Sequence, residues 1–495
     1  MIKTTIKTGL NFNASYAEQL EGFYAITSGE KLKTPNIIVF NKSLANEIGL
    51  NYKDLSKDEL AHLLTGSIQA QGSNPFAQVY AGHQFGGFSP QLGDGRAIML
   101  GEVIDTNGIR RDIHLKGSGQ TPFSRGGDGK AAVGPVLREY LLGEAMHALG
   151  IPATRGLAAT LTGEKVMRDR LLPGAVVARV ASSHIRVGTF QYFAAKGEQD
   201  NVKLLADYTI NRHFPEVTDS ENPYLELLRT VRDKQAELIA QWMLVGFVHG
   251  VMNTDNMVVS GETIDFGPCA FIDNYDNNAC FSSIDRQGRY ALGNQPYMAQ
   301  WNTARFAECL LPLLHDNNEK AIAIATEEIQ EFAPVYQKYW LKGITTKLGL
   351  SKVESGDLEL SNNLFDILQD RNVDYTQLFR SLSEAINGDA QKTYELFENT
   401  EKFKKWYKNW NNRLLLESRS IEATIESMNS VNPIYIPRNH LVEEALQAAE
   451  QNNDYQPFEK LLSVLTNPYS ERAGLEKFAS PAPKEFGPYK TFCGT

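Results

Sequence analysis

The chain has 495 residues, of which 42% are hydrophobic and 22% are charged, and its formal net charge is −10. That length exceeds one compact core, so we expect two or three structural units of a soluble globular protein. The negative charge argues against a nucleic-acid partner held by electrostatics. No apolar run reaches the roughly 18 residues of a membrane span, so we expect no membrane partner.

The cysteine content predicts a reducing environment. The four cysteines lie at positions 269, 280, 309 and 493, without CxxC spacing, and are too few for a disulfide framework. The N-terminus lacks the apolar stretch of a secretory signal. We therefore expect a cytoplasmic protein, acting as a monomer.

Composition changes along the chain predict three regions. Residues 1–90 form an N-terminal extension with a short strand at 36–40 and helical stretches. Strands and helices alternate through 91–345, and 346–495 is mostly helical. The tail from Ser480 is rich in proline and glycine, which predicts an extended or mobile segment.

A glycine pair precedes an apolar, strand-like run in QLGDGRAIMLGEVI (91–104). Gly93 and Gly95 would let backbone N–H groups approach a phosphate closely, and Arg96 adds a fixed positive charge. A tight turn with no ligand gives the same pattern, so this motif alone leaves both interpretations open.

The next predicted strand ends on a lysine. In DIHLK (112–116) apolar and polar residues alternate, which predicts a half-buried strand with Lys116 at its end. Kinases place their phosphate-binding lysine on a strand in this way. Glu139 follows within a predicted helix over 134–150 and is the candidate partner of Lys116. The alternative is two unrelated surface charges.

A glycine-rich loop, GSGQTPFSRGGDGK (117–130), separates these elements. Its charge and glycine content favour a flap that encloses phosphate over a plain linker, with Asp128 and Gly129 near its end.

Two arginines follow on an apolar segment. AVVARVASSHIRVG (175–188) predicts a strand and its extension, which carry Arg179 and Arg186. Arginines on apolar strands usually have an anionic partner. A structural carboxylate and a phosphate are equally compatible with the sequence.

The stretch HGVMNTDNMVVSGETIDFGP (249–268) resembles a phosphotransferase loop with one part changed. A helix over 234–250, a loop and a short strand at 257–259 are predicted before the Asp-Phe-Gly triplet. Kinases carry an aspartate two residues after the histidine, where this chain has Val251.

The remaining oxygens of this stretch still suit a metal–ATP site. Asn256 and Asp265 offer amide and carboxylate oxygens to a Mg²⁺ that bridges phosphates. Asp255 supplies a carboxylate beside Asn256 and is the candidate general base. A loop-capping role for Asp255 is the alternative.

A basic, aromatic segment near the C-terminus has two interpretations. KFKKWYKNWNNR (402–413) fits an amphipathic helix with Phe403, Trp406 and Trp410 facing a core. A patch for nucleic acid or an acidic partner is the alternative.

Several long motifs, in order, resemble the selenoprotein O family. They are YAGHQFGGFSPQLGDGRA (80–97), HLKGSGQTPFSRGGDGKA (114–131), HGVMNTDNM with DFGP, and SSIDRQGRYALGNQPYMAQWN (282–302). The resemblance spans about 75–310. It implies an α+β, protein-kinase-like fold of two lobes, with an N-lobe over about 91–175 and a C-lobe over about 176–345.

The same resemblance implies an activity. Members of this family bind ATP in an orientation reversed relative to kinases and transfer AMP to Ser, Thr or Tyr hydroxyls of proteins, releasing pyrophosphate. A kinase that transfers the γ-phosphate and a non-catalytic ATP-binding scaffold are the alternatives.

The resemblance also assigns roles to residues. Asp255 is the proton acceptor, Glu139 supports Lys116, and Asn256 and Asp265 bind Mg²⁺ or Mn²⁺. The residues that contact ATP are Gly93, Gly95, Arg96, Lys116, Asp128, Gly129, Arg179 and Arg186.

Some family members carry selenocysteine third from the C-terminus, where this chain has Cys493. The resemblance implies a regulatory disulfide between Cys493 and a cysteine near the active site. Cys280 is the first candidate partner and Cys269 is its rival. The rest of the tail departs from the usual family ending.

Overall fold

The computed structural model of the protein describes residues 5–369, 371–398 and 400–492. Its strands are β1 (Thr5–Ile6), β2 (Tyr24–Ile26), β3 (Asn36–Phe40), β4 (Gln69–Ala70), β5 (Phe76–Gln78), β6 (Gly82–Gln84), β7 (Gly87–Ser89), β8 (Ala97–Ile104), β9 (Arg110–Lys116), β10 (Ala131–Ala132), β11 (Arg155–Met167), β12 (Leu171–Ala181), β13 (Phe247–Val248) and β14 (Ala270–Phe271).

Its helices are α1 (Ser15–Gln19), α2 (Lys42–Glu47), α3 (Lys57–Leu64), α4 (Val133–Ala148), α5 (Val187–Ala194), α6 (Gln199–His213), α7 (Pro223–Val245), α8 (Gln295–Leu314), α9 (Asn318–Gln330), α10 (Phe332–Lys347), α11 (Asp357–Leu368), α12 (Tyr375–Ile386), α13 (Gln391–Leu396), α14 (Glu401–Leu414), α15 (Ile421–Val431), α16 (Asn439–Asn452), α17 (Gln456–Leu465) and α18 (Glu476–Ala479).

The central element is an eight-stranded antiparallel sheet. Its strand order is β2-β5-β8-β9-β12-β11-β3, and β10 pairs with β12. Smaller two-stranded units are formed by β1 with β4, β6 with β7, and β13 with β14. Three strands from before residue 90, namely β2, β3 and β5, therefore belong to the same sheet as the strands that follow.

The two faces of the sheet are covered by different helices. On β12, Val177 packs in a cluster with α4, whereas Val176 and Ala178 pack in a cluster with α2 and α3. Because side chains alternate along a strand, Arg179 lies on the face that α4 covers.

The pairing register brings β9 residues to the same face. Lys116 lies opposite Val177 and His114 lies opposite Arg179 on the adjacent strand. Residues directly opposite each other in a sheet share a face. The register therefore directs Lys116, His114 and Arg179 together toward α4.

The helical part of the chain packs in three places. Helix α7 lies against α8 and α10. Helices α10 to α14 enclose the fully buried Trp410, and α16 and α17 pack on α4 beside the sheet. The structure thus confirms a mixed α/β chain with a mostly helical C-terminal region.

Several predicted elements are confirmed. Strand β3 occupies residues 36–40, and α4 ends where Gly150 adopts a left-handed φ of 79°. Within α14, Phe403, Trp406 and Trp410 are buried, as predicted for an amphipathic helix.

The strand predicted at 112–116 is confirmed as part of β9, which ends at Lys116, but the prediction that it is half-buried was wrong. Asp112 and His114 are buried as completely as their apolar neighbours. The alternation of polar and apolar residues indicated that one face of the strand is exposed to solvent. Both faces are covered instead, and the polar residues are buried in ion pairs and hydrogen bonds.

The predicted helix over 234–250 ends earlier than expected, at Val245. Gly246 adopts a left-handed φ of 71° and ends α7. The apolar residues Phe247 and Val248 then continue as a strand, which sequence periodicity does not distinguish from a helix end.

The prediction of a strand at 257–259 was also wrong. Val258 forms only an isolated bridge with Arg186. The ladder stops there because α5 begins at Val187 and curls the partner segment away.

Within the described ranges, no helix is both long enough and apolar enough to cross a membrane.

Candidate active site

Two cations and two carboxylates meet between the sheet and α4. Lys116 Nζ lies 2.8 Å from Glu139 Oε2, and Arg179 Nη1 lies 2.6 Å from Glu139 Oε1. Arg179 Nη1 also lies 2.9 Å from Asp265 Oδ1, which Lys116 contacts as well. Burial alone would raise both carboxyl pKa values, but the cations hold the pKa of Asp265 well below its usual range and lower that of Glu139.

His114 and Asp94 support the arginines from behind. Arg179 Nε donates to His114 Nδ1 over 3.2 Å, and His114 Nε2 lies 3.2 Å from Asp94 Oδ2. The other carboxylate oxygen of Asp94 lies 3.6 Å from Arg186 Nη2. Because Nδ1 accepts, we assign a neutral His114 with its proton on Nε2, and burial lowers the pKa of this histidine.

The loop after β13 carries the two predicted metal ligands. Asn256 ends a short 3-10 turn, and its Nδ2 donates to Val251 O over 3.0 Å, so its amide oxygen takes no part in that bond. Asp265 has a φ of 60°, a left-handed conformation that costs a non-glycine residue roughly 1–2 kcal/mol. This conformation directs the Asp265 carboxylate at Lys116 and Arg179.

Asp255 is a buried carboxylate at the cleft wall. Burial raises its pKa to about 6, although a hydrogen bond from Gln84 lowers it. Gln84 Nε2 donates to Asp255 Oδ2 over 3.1 Å, while Oδ1 has no hydrogen-bond partner among the described residues. A carboxylate with a pKa near neutrality suits proton transfer.

The β6–β7 hairpin, residues 82–89, holds this loop in place. His83 N donates to Thr254 Oγ1 over 2.7 Å. A Cβ on Gly82 would lie 2.5 Å from Asp255 Oδ1, so only glycine permits this approach. The roles of Gly82 and Gln84 were not predicted from the sequence. The only signal for them was the glycine-rich stretch that precedes Gly93 and Gly95 within residues 80–97.

The predicted glycines are placed where side chains would collide. Gly93 has a φ of 71°, and a Cβ there would lie 2.5 Å from Phe123 Cγ. Gly129 has a φ of 68°, and its Cβ would lie 2.1 Å from Gly119 O. Both turns therefore require glycine, which keeps the backbone at the cleft surface bare.

Two charged residues border the cleft with different partners. Asp128 accepts a 2.8 Å hydrogen bond from Arg168 Nη1, which lowers the pKa of Asp128. The Arg96 side chain makes no hydrogen bond or ion pair with any residue in the described part of the chain. Arg96 therefore offers an uncommitted positive charge to the cleft.

One cleft of about 370 Å³ brings these groups together. Glu139 lies behind it, and Tyr80, Gln84 and Arg168 line it although the sequence did not indicate them. The predicted residues that line it are Gly93, Gly95, Arg96, Lys116, Asp128, Gly129, Arg179, Arg186, Asp255, Asn256 and Asp265.

The donor set fits a hard cation that shares its ligands with a phosphate. Across residues 5–369, 371–398 and 400–492, no group of three His, Cys, Asp or Glu side chains is arranged to hold a metal by itself. Asn256 and Asp265 offer two oxygens on the same cleft. Mg²⁺ is commonly bound by one or two carboxylates together with substrate phosphates and water.

The cysteines differ in exposure. Cys269 is fully buried, and burial raises its pKa to about 12. Cys280 is partly exposed, and the tail runs beside it, with Lys490 Nζ 2.8 Å from Cys280 O. Cys493 lies outside the described residues, so its disulfide with Cys280 or Cys269 stays a prediction.

Glycine turns, basic side chains and acidic or amide side chains line one cleft, and this combination suits a phosphate-bearing substrate of a transferase. A family model described as "Protein adenylyltransferase SelO" matches residues 7–466. The chain belongs to the SelO family and is a nucleotidyltransferase.

Curated relatives cover almost the whole chain. A protein of Agrobacterium fabrum named "Protein nucleotidyltransferase YdiU" is 52% identical over 486 residues, which are 98% of this chain and 100% of the relative. A protein of the same name from Bacillus thuringiensis is 51% identical over 489 residues, 99% of each chain. Another, from Rhodopseudomonas palustris, is 50% identical over 486 residues, 98% of this chain and 99% of its own.

Proposed function

We propose that this protein transfers AMP from ATP to Ser, Thr or Tyr hydroxyls of other proteins and releases pyrophosphate. The observation that carries the proposal is the position of one carboxylate. Val251 stands at the kinase aspartate position, whereas Asp255 lines the same cleft as Lys116 and the two arginines. The family description and the names of the relatives support protein adenylylation.

We further propose a protein-kinase-like arrangement of two lobes, over about 91–175 and 176–345, with the 1–90 and 346–495 regions added. An antiparallel sheet that carries Lys116, followed by a helix that carries Glu139, supports this N-lobe. The loop that carries Asn256 and Asp265 lies on the far wall of the cleft, as expected for a C-lobe.

ATP would lie across the cleft with its triphosphate on the basic residues. Lys116, Arg179 and Arg186 would neutralise phosphate charge, with the uncommitted Arg96 beside Gly93 and Gly95. Backbone N–H groups at bare glycine turns can approach phosphate oxygens closely. The reversed orientation of ATP is what the family resemblance implies.

Asn256 and Asp265 would hold Mg²⁺ or Mn²⁺ together with the phosphates. The metal supplies stabilisation of the negative charge that develops during phosphoryl transfer. The chain contributes the two oxygens and their orientation, since Asp265 is fixed by Lys116 and Arg179.

In the proposed step, the acceptor hydroxyl oxygen forms a bond to the α-phosphorus. The bond between that phosphorus and the oxygen bridging to the β-phosphorus breaks, and pyrophosphate leaves with the bonding electrons. The hydroxyl proton passes to the carboxylate of Asp255, whose raised pKa suits it as an acceptor. Gln84 orients this carboxylate through its hydrogen bond to Oδ2.

Label position distinguishes this function from its alternatives. The full chain is incubated with Mg²⁺ or Mn²⁺, acceptor proteins, and ATP labelled at either the α- or the γ-phosphate. Protein label from α-labelled ATP alone is expected. Label from γ-labelled ATP alone would indicate a kinase. No protein label from either form of ATP would favour a non-catalytic ATP-binding scaffold.

An Asp265→Ala variant tests the metal assignment within the same assay. We expect it to abolish label transfer, whereas the exposed-site variant Asp219→Ala should transfer normally. Full activity of Asp265→Ala would contradict the assignment of Asp265 as a metal ligand.

A further inference from the structure

A second cavity of about 550 Å³ lies away from the cleft and shares no lining residue with it. Its walls come from the end of α4, from α7 and α10, and from the end of α15. The volume falls within the range of small-molecule sites, roughly 300–1,000 Å³. Its position, size and separate lining make it a candidate site unrelated to ATP.

Lys347, the last residue of α10, lines this cavity and is only 4% exposed. Its ammonium group makes no hydrogen bond or ion pair with the residues that the structure describes. Its contacts are cation–π contacts with Phe379 and Tyr375, whose ring centroids lie 4.2 Å and 5.9 Å from Nζ. Lysine is almost never buried without a partner. Burial alone lowers the pKa of Lys347 to about 7, with no opposite charge nearby to restore it.

The rest of the lining is mixed: apolar side chains form part of the wall, and polar side chains, among them His147, Glu237 and Lys342, form the remainder. Leu149, Leu244 and Val431 supply apolar walls. Gln241 also lines the cavity, and its buried Oε1 has no hydrogen-bond partner in the described ranges. Buried polar atoms in proteins are rarely unpaired, and such atoms in a cavity point to a missing ligand or water.

We propose that this cavity binds a small amphiphilic carboxylate, with the carboxylate on Lys347 and the apolar body against α4 and α7. The chemistry favours a carboxylate over a phosphate. None of the described lining residues is an arginine, and Glu237 on the wall would repel a dianion. A carboxylate supplies the single negative charge that the buried amine lacks.

Octanoate is the probe, and its titration into the full-length chain is followed by calorimetry. Octanol is the matched neutral ligand. We expect octanoate to bind the wild type at least 10-fold more tightly than octanol does. In Lys347→Met this preference should disappear, whereas Lys342→Met, an exposed lysine on the same helix and the same cavity, should bind octanoate within about twofold of the wild type.

The midpoint temperature of thermal unfolding shows whether the Lys347→Met variant is folded. Methionine matches the lysine stem without burying an amine, so Lys347→Met should unfold at an equal or higher temperature. No octanoate binding to the wild type, equal affinity for octanol, or full affinity in a folded Lys347→Met would each overturn the proposal.

Discussion

Lys116 and Arg179 share both of their carboxylate partners, so each cation and each carboxylate has two contacts. Arg179 reaches this cluster because its strand register places it on the α4 face. Its remaining Nε–H is satisfied by His114. Removal of any one of these four side chains therefore leaves a buried charge that lacks one of its two oppositely charged partners.

Replacement of Arg179 by methionine should destabilise the protein by about 3 kcal/mol, because Glu139 loses one of two buried cations. The measurement is equilibrium unfolding in urea. Arg170→Met, in the turn that joins β11 to β12 and more than half exposed, should change stability by less than about 0.5 kcal/mol. Equal effects of the two substitutions would contradict a buried cluster that depends on Arg179.

Replacement of Asp255 by asparagine should lower the kcat for AMP transfer by about 100-fold or more, because the amide accepts no proton. The KM for ATP should change little, since the basic residues and glycine turns remain. Steady-state kinetics with α-labelled ATP measures both. A large rise in KM at unchanged kcat would mean that Asp255 binds ATP rather than accepting the proton.

At the scale of elements, the β6–β7 hairpin reaches the catalytic loop across a long stretch of chain. The contact between Gln84 and Asp255 joins residues 171 positions apart. Gly82 is needed for it, since no other residue fits beside Oδ1. The hairpin thus determines where the carboxylate of Asp255 points.

Gly82→Ala should therefore reduce AMP transfer by about 10-fold or more, because the new methyl group displaces the Asp255 carboxylate. Gly87→Ala is the matched control in the same hairpin, where a Cβ would meet only Gln84 O at an ordinary 3.6 Å. Transfer rates of the two variants are compared after their folding is checked by thermal unfolding. If both keep full activity, the hairpin does not position Asp255.

Local patterns in the sequence predicted β3, α4 and α14, because each depends on periodicity within one segment. They also indicated Lys116 and Glu139, which lie on consecutive elements. The hairpin contact and the burial of His114 could not be predicted, since both depend on which distant segments cover a surface. The predicted end of α7 was wrong for a different reason. Gly246 is the only residue that interrupts the apolar run, and the run continues beyond it as strand β13.

At the scale of the whole molecule, distant regions of the chain meet at the sheet. Strands β2, β3 and β5 from the first 90 residues extend it, and α16 and α17 pack against α4, which carries Glu139. The ATP-binding core proposed for residues 91–345 is therefore supported from both ends of the chain. This assembly also buries polar groups such as His184 completely.

His184 should make stability depend on pH. Burial lowers its pKa to about 3, so between about pH 6.5 and pH 3 the unfolded chain binds a proton that the folded protein does not. Its contribution falls by about 1.4 kcal/mol per pH unit as pH drops through that window. His184→Asn keeps a donor near Asp112 but does not titrate.

The comparison is urea unfolding of wild type and His184→Asn at pH 7.5, 6 and 5. The stability of the variant relative to wild type should rise as pH falls, whatever its constant offset at pH 7.5. A difference that does not change with pH would show that His184 has an ordinary pKa in the folded protein.

In the proposed reaction, a protein hydroxyl attacks the α-phosphorus of ATP while Asp255 accepts the proton. The most direct measurement is ³¹P NMR of a reaction between the full chain, ATP with Mg²⁺ or Mn²⁺, and an acceptor protein. We expect pyrophosphate and a protein-bound phosphodiester in equal amounts, and formation of both about 100-fold slower or more with Asp255→Asn. Formation of ADP with a protein-bound phosphomonoester would contradict it.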